Sequence, residues 1–206
     1  MDGPGGYDVP QGQCRVEQVV QRSRFVTTVA RASSPEMARA FVQSIRAEFP
    51  DATHHCWAFQ TGPPGSTAQV GMSDAGEPHG TAGKPMLTVL LHSGVGEIVA
   101  VCTRYYGGVK LGTGGLSRAY AGGVSAALET LTTERKVERI RLTLHAGYEH
   151  VDAVRRVAGI HAAVIRQEQF GTEVTFELDV PVSGQSALVE AIYDITKGKG
   201  RFTPGS

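Results

Sequence analysis

A glycine-rich run bracketed by cations, Arg104-Tyr-Tyr-Gly-Gly-Val-Lys-Leu-Gly-Thr-Gly-Gly-Leu-Ser-Arg118, holds the residue types best suited to gripping an anion. Gly112, Thr113, Gly114 and Gly115 leave backbone N–H groups uncovered, and the small-residue stretch Leu116 to Leu131 behind them reads as a helix. Amides and the positive end of a helix dipole then converge on one spot. Arg104, Lys110 and Arg118 surround that spot, and between Pro78 and Leu128 these three and Lys84 face the single acid Glu97. Tyr105 and Tyr106 sit inside the group, so rings for stacking stand beside charges for phosphates, as a phosphate-bearing strand requires. The residues leave a second reading open, in which the glycines serve close strand–helix packing, the tyrosines are buried and the cations are merely solvated.

Other chemistry finds less support. A Walker phosphate loop around Gly83-Lys84 fails twice, at Pro78 and at Pro85, and the dinucleotide fingerprint fails at Gly112-Thr-Gly-Gly-Leu-Ser117. What remains is a generic anion nest. His54, His55, Cys56 and His79 are metal-ligand types without a paired spacing, and on a strand His55 would face away from His54 and Cys56. Asp74, Glu77 and His79 share one polar loop, with Ser73 or Cys56 as candidate nucleophiles, but no spacing sets a base beside either. The expectation is no catalytic residue, no metal and no cofactor.

The elements that must position these residues read as two sets. Apolar Ile98 to Cys102 is a buried strand delivering the chain to Arg104. Ahead of it, Cys14 to Val20 and Arg24 to Ala32 read as paired strands, and Ser34-Pro35 opens a helix whose stripe is Met37, Phe41, Ile45 and Phe49. His54 to Thr61 reads as a strand with Trp57 and Phe59 on it, Gly62 to Ser66 as a turn, Ser73 to Pro85 as irregular, and Pro85 to His92 as a helix. The later half reads strand (Val137 to Leu144), helix (Tyr148 to Ala158), a hairpin about Gly171, helix (Ser186 to Thr196) and strand (Gly198 to Thr203): βαββαβ, the ferredoxin-like split motif. Lys197-Gly-Lys-Gly-Arg201 adds a small basic strip there. The expected division is a disordered Gly/Pro tail over residues 1–13, one domain over 14–134 and a second over 135–206, an α+β chain throughout.

Composition narrows the function classes. Twenty Lys+Arg balance twenty Asp+Glu, so any contact with nucleic acid comes from a local patch and not a bulk field. Three cysteines, Cys14, Cys56 and Cys102, form no CxxC pair and favour a reducing, cytoplasmic setting. No run approaches the roughly 18 apolar residues of a membrane span, and the first residues lack the apolar core of a signal peptide, so no membrane partner is expected.

Several motifs in order resemble the IMPACT family, in its two-domain bacterial form of the YigZ type. They are Ser23-Arg-Phe25, Asp51-Ala-Thr-His-His-Cys56, Ser73-Asp-Ala-Gly-Glu-Pro78, Gly80-Thr-Ala-Gly-Lys-Pro-Met86, Gly94-Val-Gly-Glu97, Arg104-Tyr-Tyr-Gly-Gly108, Leu111-Gly-Thr-Gly-Gly115 and Ala119-Tyr-Ala-Gly-Gly123. The resemblance implies a ribosomal-protein-type α/β fold for the first domain, as in domain IV of elongation factor G and in GHMP kinases, and a ferredoxin-like second domain. Eukaryotic members control translation by competing for an activator of the kinase that responds to amino-acid starvation. Their N-terminal RWD-type domain has no counterpart in this sequence, so that role is not carried over, and the family supplies no catalytic residues to transfer. The favoured expectation is a non-enzymatic, translation-associated regulator that binds RNA, the ribosome or a translation factor through the glycine loop and its cations. The alternative is a phosphate- or nucleotide-binding small-molecule enzyme, a phosphotransferase or hydrolase, with Lys84 on a phosphate and Asp74 or Glu77 as metal ligand or base. A protein-interaction module reading the second domain's sheet is a third class.

Overall fold

Alternation of apolar and polar residues builds the first sheet, and the computed structural model describes it within residues 6–204. The strands are β1 (Tyr7–Pro10), β2 (Cys14–Val20), β3 (Ser23–Arg31), β4 (His54–Gln60), β5 (Val70–Ser73) and β6 (Ile98–Tyr105). Five of them form an antiparallel sheet in the order β2-β3-β6-β4-β5. Central β6 is buried from Ile98 through Arg104 because helices cover both faces. Its odd and even residues therefore enter different cores. Ala100 and Cys102 meet Phe25, Met86, Leu90, Leu116, Tyr120 and Val124 under α2 (Gly83–Leu91) and α3 (Gly112–Thr130). Val99 and Val101 meet Phe59, Ala38, Val42 and Ile45 under α1 (Pro35–Glu48).

Two features of this unit depart from the sequence reading. Tyr7–Pro10, expected within a disordered tail, is a strand paired with β7 (Thr133–Lys136), and Val9 is fully buried. Two short strands of four residues carry too little alternation to stand out, and they are held by pairing. Residues 1–5 of that expected tail lie outside the described residues, and residues 11–13 form a short connection to β2. In α1, Ser34 caps by accepting the Met37 N–H (3.3 Å), as its position suggests, but Met37 itself is 49% exposed. Ile45 of the expected stripe is buried and Phe41 and Phe49 pack half-buried against the same core, which Ala38 and Val42 complete.

The chain divides into two compact units, Tyr7–Arg135 and a second beginning at Lys136. The second runs β8 (Arg139–Ala146), α4 (Val151–Ile160) after a short 3₁₀ turn, β9 (Val164–Phe170), β10 (Val174–Pro181), α5 (Gln185–Thr196) and β11 (Arg201–Pro204). Its sheet order is β11-β8-β10-β9, antiparallel throughout. Alternate residues of β10 (Val174, Phe176, Leu178, Val180) join Leu144 and Ala146 of β8 to bury Val154, Leu188 and Ile192 of the helices. The whole is a mixed α+β chain.

Candidate anion-binding site

The start of α3 is assembled by three backbone choices. Strand β6 ends at Tyr105, and Gly107 then passes so close to the Arg22 carbonyl that any Cβ there would overlap it. Ser23 Oγ fixes the passage, accepting the Gly107 N–H (3.2 Å) and Arg104 Nη2 (3.1 Å). Gly112, at φ +71°, then turns the chain into the helix, a conformation that a side chain would strain. The stretch Gly112 to Gly115, expected as a loop ahead of a helix at Leu116, is the first turn of α3 itself. Tertiary packing of Leu116, Ala119 and Tyr120 outweighs the poor helix propensity of three glycines.

This first turn has no acidic residue and no side-chain cap, so its N–H groups lack intrahelical or side-chain partners. Gly112, Thr113 and Gly114 are exposed, as is Lys110 just before them. The Arg118 guanidinium folds back one turn, with Nη1 3.5 Å from where a Cβ on Gly114 would stand. Arg118 and Lys84 also line one groove of about 520 Å³ between α2 and α3, with Gly80, Thr88 and Ser117. Farther along, Thr88, Val89 and His92 share a second groove with Ser125 and Leu128. Both helices therefore advance in the same direction, and their positive dipole ends lie at the Lys84–Arg118 end. Lys84, Lys110 and Arg118 make no ion pair with any described residue, whereas Arg15, Arg24, Arg31 and Arg135 of the same unit all do.

The neighbouring start of α2 shows the opposite solution. The Asp74 carboxylate accepts the Gly80 N–H on Oδ2 (2.8 Å) and the Ala82 and Gly83 N–H groups on Oδ1 (3.0 and 2.8 Å). Burial opposes its charge, but the three backbone donors outweigh burial and hold the carboxyl below its ordinary range. One helix start is thus closed by the protein's own anion and the other is open.

Arg104 departs from the expectation of a phosphate cation. Its side chain is only 5% exposed; Nη1 donates to Glu77 Oε1 (2.6 Å), and the Tyr120 hydroxyl donates to the same oxygen (2.7 Å). The guanidinium stacks near the Phe25 and Tyr106 rings (5.3 and 5.4 Å). Period-2 reading of Ala100, Cys102 and Arg104 places all three on one face, and that was the signal for a buried arginine. Tyr105 is tied down as well, its hydroxyl donating to Asp51 (3.0 Å) under the Arg24 guanidinium. Tyr106 stays 47% exposed.

The polar loop is architecture. Asp74 caps α2 and Glu77 neutralises Arg104, so neither is available as a metal ligand or base; His79 is exposed, 3.8 Å from Asp74. Ser73 Oγ accepts the Ala75 N–H (3.2 Å). The Cys56 thiol donates to the Asp74 carbonyl, and burial pushes it far up, while burial lifts Cys102 to about 12. Neither thiol is poised as a nucleophile. His54 and His55 each hydrogen-bond a carbonyl, of Ala75 (2.9 Å) and Phe49 (3.0 Å), from opposite faces of β4. Among the described residues no three His, Cys, Asp or Glu side chains converge as a metal site.

Comparison with known proteins identifies the family. Residues 21–128 match the model of the Impact N-terminal domain, and residues 144–199 match a domain of unknown function, DUF1949. The chain belongs to the IMPACT family. It is 43% identical to the IMPACT family member YigZ of Escherichia coli, over 92% of this chain and 93% of that one. It is 35% identical to the family member YvyE of Bacillus subtilis, over 92% and 86%. A solved structure described as a hypothetical protein is 40% identical, covers 98% of both chains and superposes with a TM-score of 0.69. The IMPACT match contains every residue of the α3 site, from Lys84 through Arg118.

No helix among the described residues is long and apolar enough to cross a membrane.

Proposed function

We propose that this IMPACT family protein is a non-enzymatic, translation-associated regulator that binds RNA or the ribosome by gripping phosphates at the start of α3. The observation that carries this is the open first turn of α3, with Lys110 just before it in the chain and Arg118 and Lys84 on the groove beside α3, all three without an ion-pair partner among the described residues. Cations left unpaired beside uncovered amides suit an external anion, and the open groove suits a chain that extends past it. Tyr106, half exposed with the Arg104 guanidinium against its ring, is the aromatic residue that could stack a base. The reading as a non-enzyme is supported by Asp74, Glu77 and Cys56 being engaged in structure.

The fold is read in the same terms. The order β8-α4-β9-β10-α5-β11, with β8 and β10 central, supports a ferredoxin-like second domain. The antiparallel sheet with α2 and α3 on one face supports a ribosomal-protein-type first domain. Three free cysteines, two of them buried, suit the cytoplasm, where ribosomes are.

Co-sedimentation with ribosomes at low and physiological salt tests the proposal. Association should fall with salt and disappear in a Lys84→Ala/Lys110→Ala/Arg118→Ala variant that still folds. Association that persists in that variant would remove the α3 site from the account. Binding of small phosphates without any ribosome association would favour the enzyme reading.

A further inference from the structure

On the sheet face covered by α1, opposite the α3 site, lies a separate concavity of about 230 Å³. Arg39, Gln43 and Arg46 rim it from α1, at spacings of four and three that put them on one helix face. Trp57 of β4 and Ser73 of β5, register partners across the two strands, form the facing wall, with the buried Val42 between. The Trp57 indole is held flat against Phe59, with ring centroids 5.6 Å apart and planes within 5°. It is a pre-set aromatic surface.

The polar groups on this rim all have unused hydrogen-bonding capacity. Arg46 forms no ion pair, and the Gln43 side chain no hydrogen bond, with any described residue. Among the described residues Arg39 meets only Glu36, at 3.8 Å, which is too long for a hydrogen bond. Ser73 Oγ accepts the Ala75 N–H and keeps its own proton to donate. No carboxylate lines the concavity, so its local field favours an anion. Guanidinium planes and an indole face both stack on flat π systems.

We propose that this concavity binds a nucleoside monophosphate, with the base against Trp57 and the phosphate between Arg39 and Arg46. The volume sits below the roughly 300 Å³ at which pockets begin to enclose drug-sized ligands. It therefore takes one ring system and leaves the charged group at the rim, where the arginines are. Gln43 and Ser73 face the base edge with an amide and a hydroxyl. This site shares no residue with the α3 site and stands or falls separately from it.

Trp57 is the chain's one tryptophan, so its fluorescence reports the site directly. The full chain is titrated with AMP, adenosine and inorganic phosphate, in the wild type, in Arg46→Ala, in Arg46→Lys and in the Lys84→Ala/Lys110→Ala/Arg118→Ala variant. AMP should quench saturably, and adenosine and phosphate should each bind at least about tenfold more weakly. Arg46→Ala should weaken AMP about tenfold, the scale of one lost charge-assisted contact, with Arg46→Lys between. The triple variant should bind AMP as the wild type does. No saturable response to AMP, equal responses to AMP and adenosine, or unchanged AMP binding in Arg46→Ala would each overturn the proposal. AMP binding lost only in the triple variant would place the nucleotide at α3 and overturn it too. Since Arg46 is an exposed helix residue, its variants keep the fold, and unchanged circular dichroism checks this.

Discussion

Arg104 and Asp74 show how two charged residues in one motif region come to hold structure and not ligand. Arg104 and Glu77 are an ion pair removed from water, and truncating one partner leaves the other charge buried and uncompensated. Arg104→Ala should therefore cost on the order of 3–5 kcal/mol in urea unfolding. A loss below about 1 kcal/mol would show that the pair is hydrated in solution. Asp74→Ala should cost about 1 kcal/mol, as the loss of a helix cap does. The pH dependence has a definite sign. The Asp74 carboxyl is depressed in the folded protein, so its stabilising contribution is complete above the ordinary aspartate value near 3.8 and is lost as pH falls through the folded value. In acid unfolding, wild type and Asp74→Ala should converge below that value and separate above it. At this scale the sequence was only half legible. Lys84, Lys110 and Arg118 are exposed or groove-lining, but burial of Arg104 depends on Glu77, which is 27 residues from Arg104 and 43 from Tyr120, the other side chain it binds.

Helix α3 is where element-scale reasoning meets the site. Its first turn could be closed from within, as Asp74 closes that of α2. Thr113→Asp should do this, raising stability by about 0.3–1 kcal/mol in thermal unfolding while weakening RNA binding. Stability and binding rising together would mean that the first turn does not meet the anion. Long elements with clear patterns were readable: β6 from its apolar run, α1 from Ser34-Pro35, and the second unit from its alternation. The start of α3 was not. Glycines argue for a loop by propensity, and only the packing of Leu116 and Tyr120 against the sheet pulls Gly112 to Gly115 into the helix. Strand β5 and the β1–β7 ribbon escaped notice because four-residue strands gain their order from partners distant in sequence.

At the scale of the whole molecule, charge bounds what the proposed RNA contact can be. Acidic and basic residues balance, so no general field draws in nucleic acid, and the cations that are paired contribute little at long range. The proposed binding draws on three of the cations that have no carboxylate partner among the described residues, Lys84, Lys110 and Arg118. Three such charges displace few counterions, which implies modest affinity and a shallow salt slope. The direct measurement is the affinity for a short single-stranded RNA across a series of salt concentrations, in the wild type and in Lys84→Ala/Lys110→Ala/Arg118→Ala. Three phosphate contacts predict a log–log slope of about −2 in the wild type, with a flat and much weaker response in the variant. Equal slopes and affinities in the two proteins would contradict a phosphate-reading site at the start of α3.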